Sequence, residues 1–213
     1  MKKFYNFMVG LVGWIFILLY PVKIIGSKSN VPKTGKLVLI SNHLSFRDIP
    51  VLVTRFPGYR HFIAKKEFSK NRLIKWFFTK MGAIFVDRQN LDLFTIKTAL
   101  SCLKNDEGLA LFPEGTRNRN DESIQQVKGG AALFAVKSQA PLVPVVFQRK
   151  IKPFRRTFVY VGEPIELSQF YGKKFDSEQL NVATKIISDR LEFDKAFIDD
   201  YVVNKRWKNK KAG

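Results

Sequence analysis

The chain has 213 residues, 46% of them hydrophobic and 14% aromatic, which suits one domain with a full core and excludes a disordered polypeptide. One cysteine, Cys102, excludes an internal disulfide, and with only His43 and His61 besides, no structural zinc or other metal site is expected. The net charge of +19 calls for a polyanionic partner: nucleic acid, an anionic membrane surface or an acidic carrier protein.

Lys2 and Lys3 precede a nearly uncharged run from Phe4 to Pro21, and the apolar character persists to Ile25, broken by Lys23. No small-x-small cleavage pattern follows, so residues 1–26 are expected to be a retained helical membrane anchor rather than a signal peptide. Whether it spans the bilayer or dips into one leaflet stays open. A polar linker, Ser27 to Lys36, leads into the globular part, taken as residues 27–204.

Short apolar runs then alternate with longer amphipathic ones. Strands are expected at Leu37–Ile40, His61–Ala64, Ala83–Val86, Leu109–Phe112, Leu142–Phe147 and Thr157–Val161. Pro144 suggests that its strand is an edge or carries a bulge. Helical patterns fall at Asn90–Lys104, with Leu93, Ile96, Leu100 and Leu103 on one face, at Gly129–Ser138, and at Ser177–Asp200 with Ser177 as cap. The alternation predicts an α/β fold: a single mixed, largely parallel sheet flanked by helices. Residues 205–213, with Trp207 among cations, read as a basic tail suited to a lipid headgroup layer or simply to solvent.

Function in open α/β sheets sits where strands end. After Leu37–Ile40 comes Ser41-Asn42-His43-Leu44-Ser45-Phe46-Arg47-Asp48. A helix starting near Ser45 would turn Asp48 back toward His43, fixing the imidazole tautomer and freeing Nε2 to take a hydroxyl proton. Phe112-Pro113-Glu114-Gly115-Thr116-Arg117 ends another strand: Pro113 stops it, Gly115 permits a sharp turn, and Arg117 offers a planar fork for phosphate. Gly82 to Val86 runs into the charged pair Asp87-Arg88. Each segment alone has an ordinary structural reading: a packed histidine, a turn, a surface ion pair.

Together they resemble the glycerolipid acyltransferase family typified by 1-acyl-sn-glycerol-3-phosphate acyltransferase. Asn42-His43-Leu44-Ser45-Phe46-Arg47-Asp48 matches its Asn-His-x-Ser-x-x-Asp motif, and Phe112 to Arg117 reproduces Phe-Pro-Glu-Gly-Thr-Arg unchanged. Gly82 to Arg88, Val143-Pro144-Val145 and Ala64-Lys65-Lys66-Glu67-Phe68 are similar to further family stretches, while Asn118 stands where many members have Ser.

The resemblance implies transfer of an acyl group from a thioester, acyl-CoA or acyl-carrier protein, to the free hydroxyl of a lysophospholipid, giving phosphatidic acid when the acceptor is 1-acyl-glycerol-3-phosphate. His43 would be the base and Asp48 its orienter. Lys65 and Arg117 would bind phosphate, Glu114 would orient the acceptor site with Gly115 and Thr116 as further substrate-binding residues, backbone amides near the Gly115 turn would be candidates for oxyanion stabilisation, and Arg88 or Lys128 would add positive field. No cofactor beyond the thioester co-substrate is implied, and no Gly-x-Ser-x-Gly elbow is present. The implied setting is the cytoplasmic face of a membrane. Two readings stay open beside it: a different lyso-acceptor, such as a lyso-aminolipid, or a non-catalytic lipid-binding relative. A nucleic-acid partner leaves the apolar N-terminus unexplained.

Overall fold

The computed structural model describes residues 1–87 and 93–211, with side chains described to residue 205. Seven strands form one sheet: β1 (Val22–Gly26), β2 (Leu37–Ser41), β3 (Arg60–Lys65), β4 (Ala83–Val86), β5 (Gly108–Leu111), β6 (Leu142–Phe147) and β7 (Thr157–Val161). Their order is β1-β7-β6-β2-β5-β3-β4, and every pairing is parallel except β6 with β7. The single mixed, largely parallel sheet expected from the alternation is therefore what the chain forms.

Strand β2 lies centrally and is buried along its length, as a strand covered on both faces must be. Its side chains alternate between two cores. Val38 and Ile40 join the core beneath α4 (Leu93–Lys104), α5 (Gly130–Ser138) and α6 (Ser177–Lys211); Leu37 and Leu39 join the core beneath α2 (Asp48–Arg55). The first helix, α1 (Lys2–Leu19), packs on α2 and touches α3 (Arg72–Lys80).

Several expectations need correction. The anchor segment is not helical to residue 26. Pro21 has no N–H to continue the helix, α1 stops at Leu19, and β-branched Val22, Ile24 and Ile25 instead lie in an edge strand paired with β7. Helix α2 starts at Asp48, three residues after the start considered near Ser45, and α3 was not expected; its signals are the Asn71 side chain accepting from the Leu73 and Ile74 amides and the helical spacing of Leu73, Ile74, Phe77 and Phe78, although none of its residues is buried. Strand β5 begins at Gly108 and ends before Phe112. Leu93 is exposed, and Thr95, Ala99 and Leu103 form the buried side of α4; residues 90–92 of that expected helix lie outside the described residues. The side chain that caps α6 is Asp176, whose Oδ1 accepts from the Gln179 amide, rather than Ser177, which is already the first helical residue. Residues from 205 on continue α6 to Lys211.

Pro144 sits in an interior strand, between β2 and β7. Its carbonyl accepts from Gly162, just past the end of β7, so its missing N–H faces the place where that ladder has already ended. Gly162 is required there: a Cβ would lie 2.3 Å from Asp194 Oδ2 and 2.8 Å from the Pro144 ring.

The functional consequence of the topology is alignment. β6, β2, β5, β3 and β4 are neighbours and parallel, so their carboxyl ends share one edge of the sheet.

Candidate active site

His43 follows β2 by two residues and Glu114 follows β5 by three, on adjacent strands. Asn42 fastens the end of β2 to that of β6: its Nδ2 donates to the Phe147 carbonyl (3.0 Å) and its Oδ1 accepts from the Phe147 amide (2.8 Å). A side chain thereby extends the strand pairing beyond the last ladder bond.

Next comes a reciprocal cap. Ser45 Oγ accepts from the Arg47 amide (3.1 Å), while Asp48 Oδ2 reaches back to the Ser45 amide (2.7 Å) and to the Leu44 amide (2.7 Å). Asp48 Oδ1 accepts from Ser45 Oγ (2.8 Å), and Oδ2 also meets His43 Nδ1 at 3.0 Å. Asp48 is fully buried and His43 is 5% exposed. With an acceptor at Nδ1, the ring carries its proton there, and Nε2 presents a lone pair. The ring stacks on Phe112 with centroids 3.8 Å apart and planes 13° from parallel.

Glu114 supports His43 from the other side. Its Oε1 accepts from the His43 amide (2.9 Å) and its Oε2 from the Gln125 amide (3.1 Å). Burial pushes its carboxyl up to about 7, with the two amide hydrogen bonds opposing the rise and the Asp48 charge adding to it. Gly115 adopts φ +72°, a conformation that favours glycine, and the Lys128 side chain lies close against it, 3.1 to 3.2 Å from where a Cβ would be. The Lys128 amide donates to the Pro113 carbonyl (2.9 Å).

His43 lies against a cavity of about 520 Å³, bounded by α1, α2, α3 and β3. Its walls are apolar, among them Met8, Val12, Ile49, Phe62 and Phe78. The polar lining is sparse and includes His43, Lys65 and Arg117. Arg117 stacks its guanidinium 3.5 Å from the centroid of the Phe46 ring, which is 60% exposed. Lys65 Nζ pairs with Glu67 at 2.6 Å, a contact that an arriving anion must compete with. Beyond the Glu114 turn lies a polar hollow of about 480 Å³ lined by Thr116, Asn118, Gln125 and Lys128, among others.

The structure thus gathers His43, Asp48, Glu114, Gly115 and Arg117 at one strand edge, with Lys65 on the same cavity and Thr116 and Lys128 on the polar hollow. Arg88 lies outside the described residues. Sequence reasoning missed the stacking partners Phe46 and Phe112, and it gave Asn118 no part. Asn118 is buried; its amide donates to the His43 carbonyl (2.8 Å), and its Oδ1 accepts from the Asn120 and Asp121 amides. Its short amide side chain, next to a turn, was the available signal. Among the described residues, one grouping has metal-ligand side chains close together: His61, Cys102 and Glu107. It lies at the opposite end of the sheet, and Glu107 is already engaged by His61 (2.8 Å) and Lys2 (2.8 Å).

The acyltransferase family model matches residues 23–148, which hold both strand-end motifs. The chain belongs to the acyltransferase family. Among similar proteins, the 1-acyl-sn-glycerol-3-phosphate acyltransferase of Bacillus subtilis is 31% identical over 172 residues, covering 78% of this chain and 84% of that one. The enzyme of the same name from Streptococcus pneumoniae is 28% identical over 224 residues, covering 99% and 78%. The crystal structure of the 1-acyl-sn-glycerophosphate acyltransferase of Thermotoga maritima matches with a TM-score of 0.64 at 25% identity, covering 90% of this acyltransferase and 78% of that chain.

A prediction follows for Glu114. A carboxyl whose folded pKa exceeds its unfolded one favours folding below about 4.5, and that contribution is lost as the pH climbs through about 7. Melting temperatures of the parent and of Glu114→Gln, taken across that window, should converge or cross as the pH rises, with the parent losing ground. Parallel curves would mean that Glu114 titrates as an ordinary carboxyl.

Proposed function

We propose that this acyltransferase moves a fatty acyl group from a thioester to the free hydroxyl of 1-acyl-glycerol-3-phosphate, giving phosphatidic acid. The observation that carries the reading is a buried His43–Asp48 pair on an apolar cavity that also takes Lys65 and Arg117 at its polar margin. An acyl chain suits the cavity, at about 0.8 kcal/mol for each buried CH₂. A phosphate suits the guanidinium and ammonium. The acylation named for the relatives requires both.

In this scheme His43 Nε2 takes the acceptor hydroxyl proton as the oxygen attacks the thioester carbonyl. The tetrahedral intermediate collapses with cleavage of the C–S bond, and the imidazolium returns the proton to the departing thiolate. Asp48 holds the ring's tautomer and accepts from its Nδ1 throughout. A thiolate leaves readily, so no covalent acyl-enzyme is needed. Acyl-CoA and acyl-carrier protein are both compatible donors; no further cofactor enters.

We place the protein at a membrane surface, on the face reached by cytoplasmic donors. Helix α1 is apolar over 18 residues and mostly exposed. It lies along the domain, tied at both ends: Lys2 to Glu107, Tyr5 Oη donating to the Gly58 carbonyl (3.1 Å), and Arg55 donating to the carbonyls of Ile17 (3.2 Å) and Tyr20 (3.0 Å). A helix held this way suits insertion into one leaflet better than crossing two.

Purified protein in detergent should acylate lysophosphatidic acid, with acyl-CoA and acyl-carrier protein offered separately. His43→Ala should lower turnover about 10²–10⁴-fold without loss of folding. Turnover close to the parent's, or acylation of a lyso-aminolipid alone, would overturn the reading.

Arg117→Lys keeps the charge and loses the planar fork and the stack on Phe46. It should raise the Michaelis constant for lysophosphatidic acid by roughly 10-fold or more and change donor dependence far less. Equal losses for both substrates with a lowered melting temperature would assign Arg117 to bracing the turn.

A further inference from the structure

The β6–β7 connection has a composition and a shape that the acylation scheme does not use. Between Arg149 and Arg156 it carries Arg149, Lys150, Lys152, Arg155 and Arg156, and no acid. Lys152 to Arg155 is a tight turn: the Arg155 amide donates to the Lys152 carbonyl (3.3 Å), and Pro153 and Phe154 form its tip. Phe154 adopts φ +56°, a conformation unfavourable for a bulky side chain. Nothing in the core repays that cost, because Phe154 is 78% exposed. Strain at an exposed aromatic points to a role outside the fold.

The tip is also fixed in place. The Phe154 amide donates to the Leu19 carbonyl at 2.7 Å, at the end of α1. There it continues a stripe of exposed side chains at helical spacing, Phe7, Leu11, Trp14 and Leu18. On the adjoining edge, Lys23 of β1, Arg156 and Lys205 of α6 crowd together, and Lys23 first, then burial and Arg156, hold Lys205 below the ordinary lysine range. Nearby acids are engaged: Asp199 by Lys195 and Gln148, Glu122 by the Lys150 amide, and Asp200 by Asn204. Cations gathered beside an apolar stripe match a layer of lipid phosphates over acyl chains.

We propose that the Lys152–Arg156 turn, with Lys23 and Lys205, is a second membrane contact, binding the phosphates of anionic lipid headgroups while Phe154 enters the bilayer beside α1. This rests on the membrane placement of α1 and adds to it: α1 supplies salt-insensitive apolar attachment, and the turn supplies selectivity for anionic lipid.

The test is partition of the full-length protein between buffer and vesicles of phosphatidylcholine, with and without phosphatidylglycerol, at low and high salt. The parent should bind both and prefer the anionic vesicles at low salt, the preference fading as salt screens the surface. Lys152→Gln, Arg155→Gln and Lys205→Gln combined should reduce anionic-vesicle binding about 100-fold, roughly fivefold per cation, and leave neutral-vesicle binding unchanged. Phe154→Asn, which keeps the backbone conformation accessible, should weaken binding to both vesicle types. Turnover in detergent with acyl-CoA should match the parent's in both variants, and melting temperatures should be no lower than the parent's, Phe154→Asn gaining from relief of the strained backbone. An anionic preference that survives the triple substitution overturns the proposal. So does unchanged partition with lost turnover only for acyl-carrier protein, which would assign the patch to an acidic carrier. Failure of the parent to bind either vesicle would instead overturn the membrane placement of α1.

Discussion

Asp48 accepts from His43 Nδ1, the Leu44 and Ser45 amides and the Ser45 hydroxyl, all within five residues of chain. That one carboxylate starts α2, closes the loop leaving β2 and sets the imidazole. Its burial makes the arrangement strict. Removing the charge would leave the Leu44 and Ser45 amides with poorer partners at a site water does not reach, at about 1–3 kcal/mol for each unsatisfied group. The local fold and the proposed chemistry therefore depend on the same atom, Asp48 Oδ2. Substitutions there act on both at once.

The surrounding elements serve this placement. Parallel β6, β2 and β5 bring Phe147, Asn42 and Glu114 side by side, and Asn42 and Glu114 each hold a backbone group of a neighbouring segment. Asn118 adds a further bond, to the His43 carbonyl. His43 thus has its amide, its carbonyl and its Nδ1 bound by three different residues, with Phe112 against its ring face. In its proposed role as base, a ring held in this way would need little reorganisation when a hydroxyl arrives. The apolar cavity and the polar Glu114–Lys128 hollow both draw lining residues from the Phe112–Arg117 turn, which suits a substrate that is lipid at one end and charged at the other.

Much of this was legible in the sequence. Six strands announce themselves as short apolar runs, and both strand-end motifs fall at the carboxyl edge of the sheet. The misses share a cause: tertiary context. Val22 to Ile25 is apolar but for Lys23 and continues an apolar helix, so little besides Pro21 hints that it pairs with Thr157 to Val161. The edge expected at Pro144 fails because Gly162, far along the chain, ends the neighbouring ladder at that level. The cavity joins α1, α2, α3 and β3, and no local pattern reveals a space between four elements. Phe46 and Phe112 sit inside motifs, yet their stacking on Arg117 and His43 emerges only once the two strand ends are adjacent.

The proposed chemistry turns on the tautomer of His43. With only two histidines in the chain, ¹⁵N spectra of uniformly labelled protein resolve this directly. His43 should carry its proton on Nδ1 with Nε2 bare, and Asp48→Asn should convert it to a mixture or to the opposite tautomer. A His43 protonated on Nε2 in the parent, or a tautomer indifferent to Asp48→Asn, would contradict the proposed chemistry.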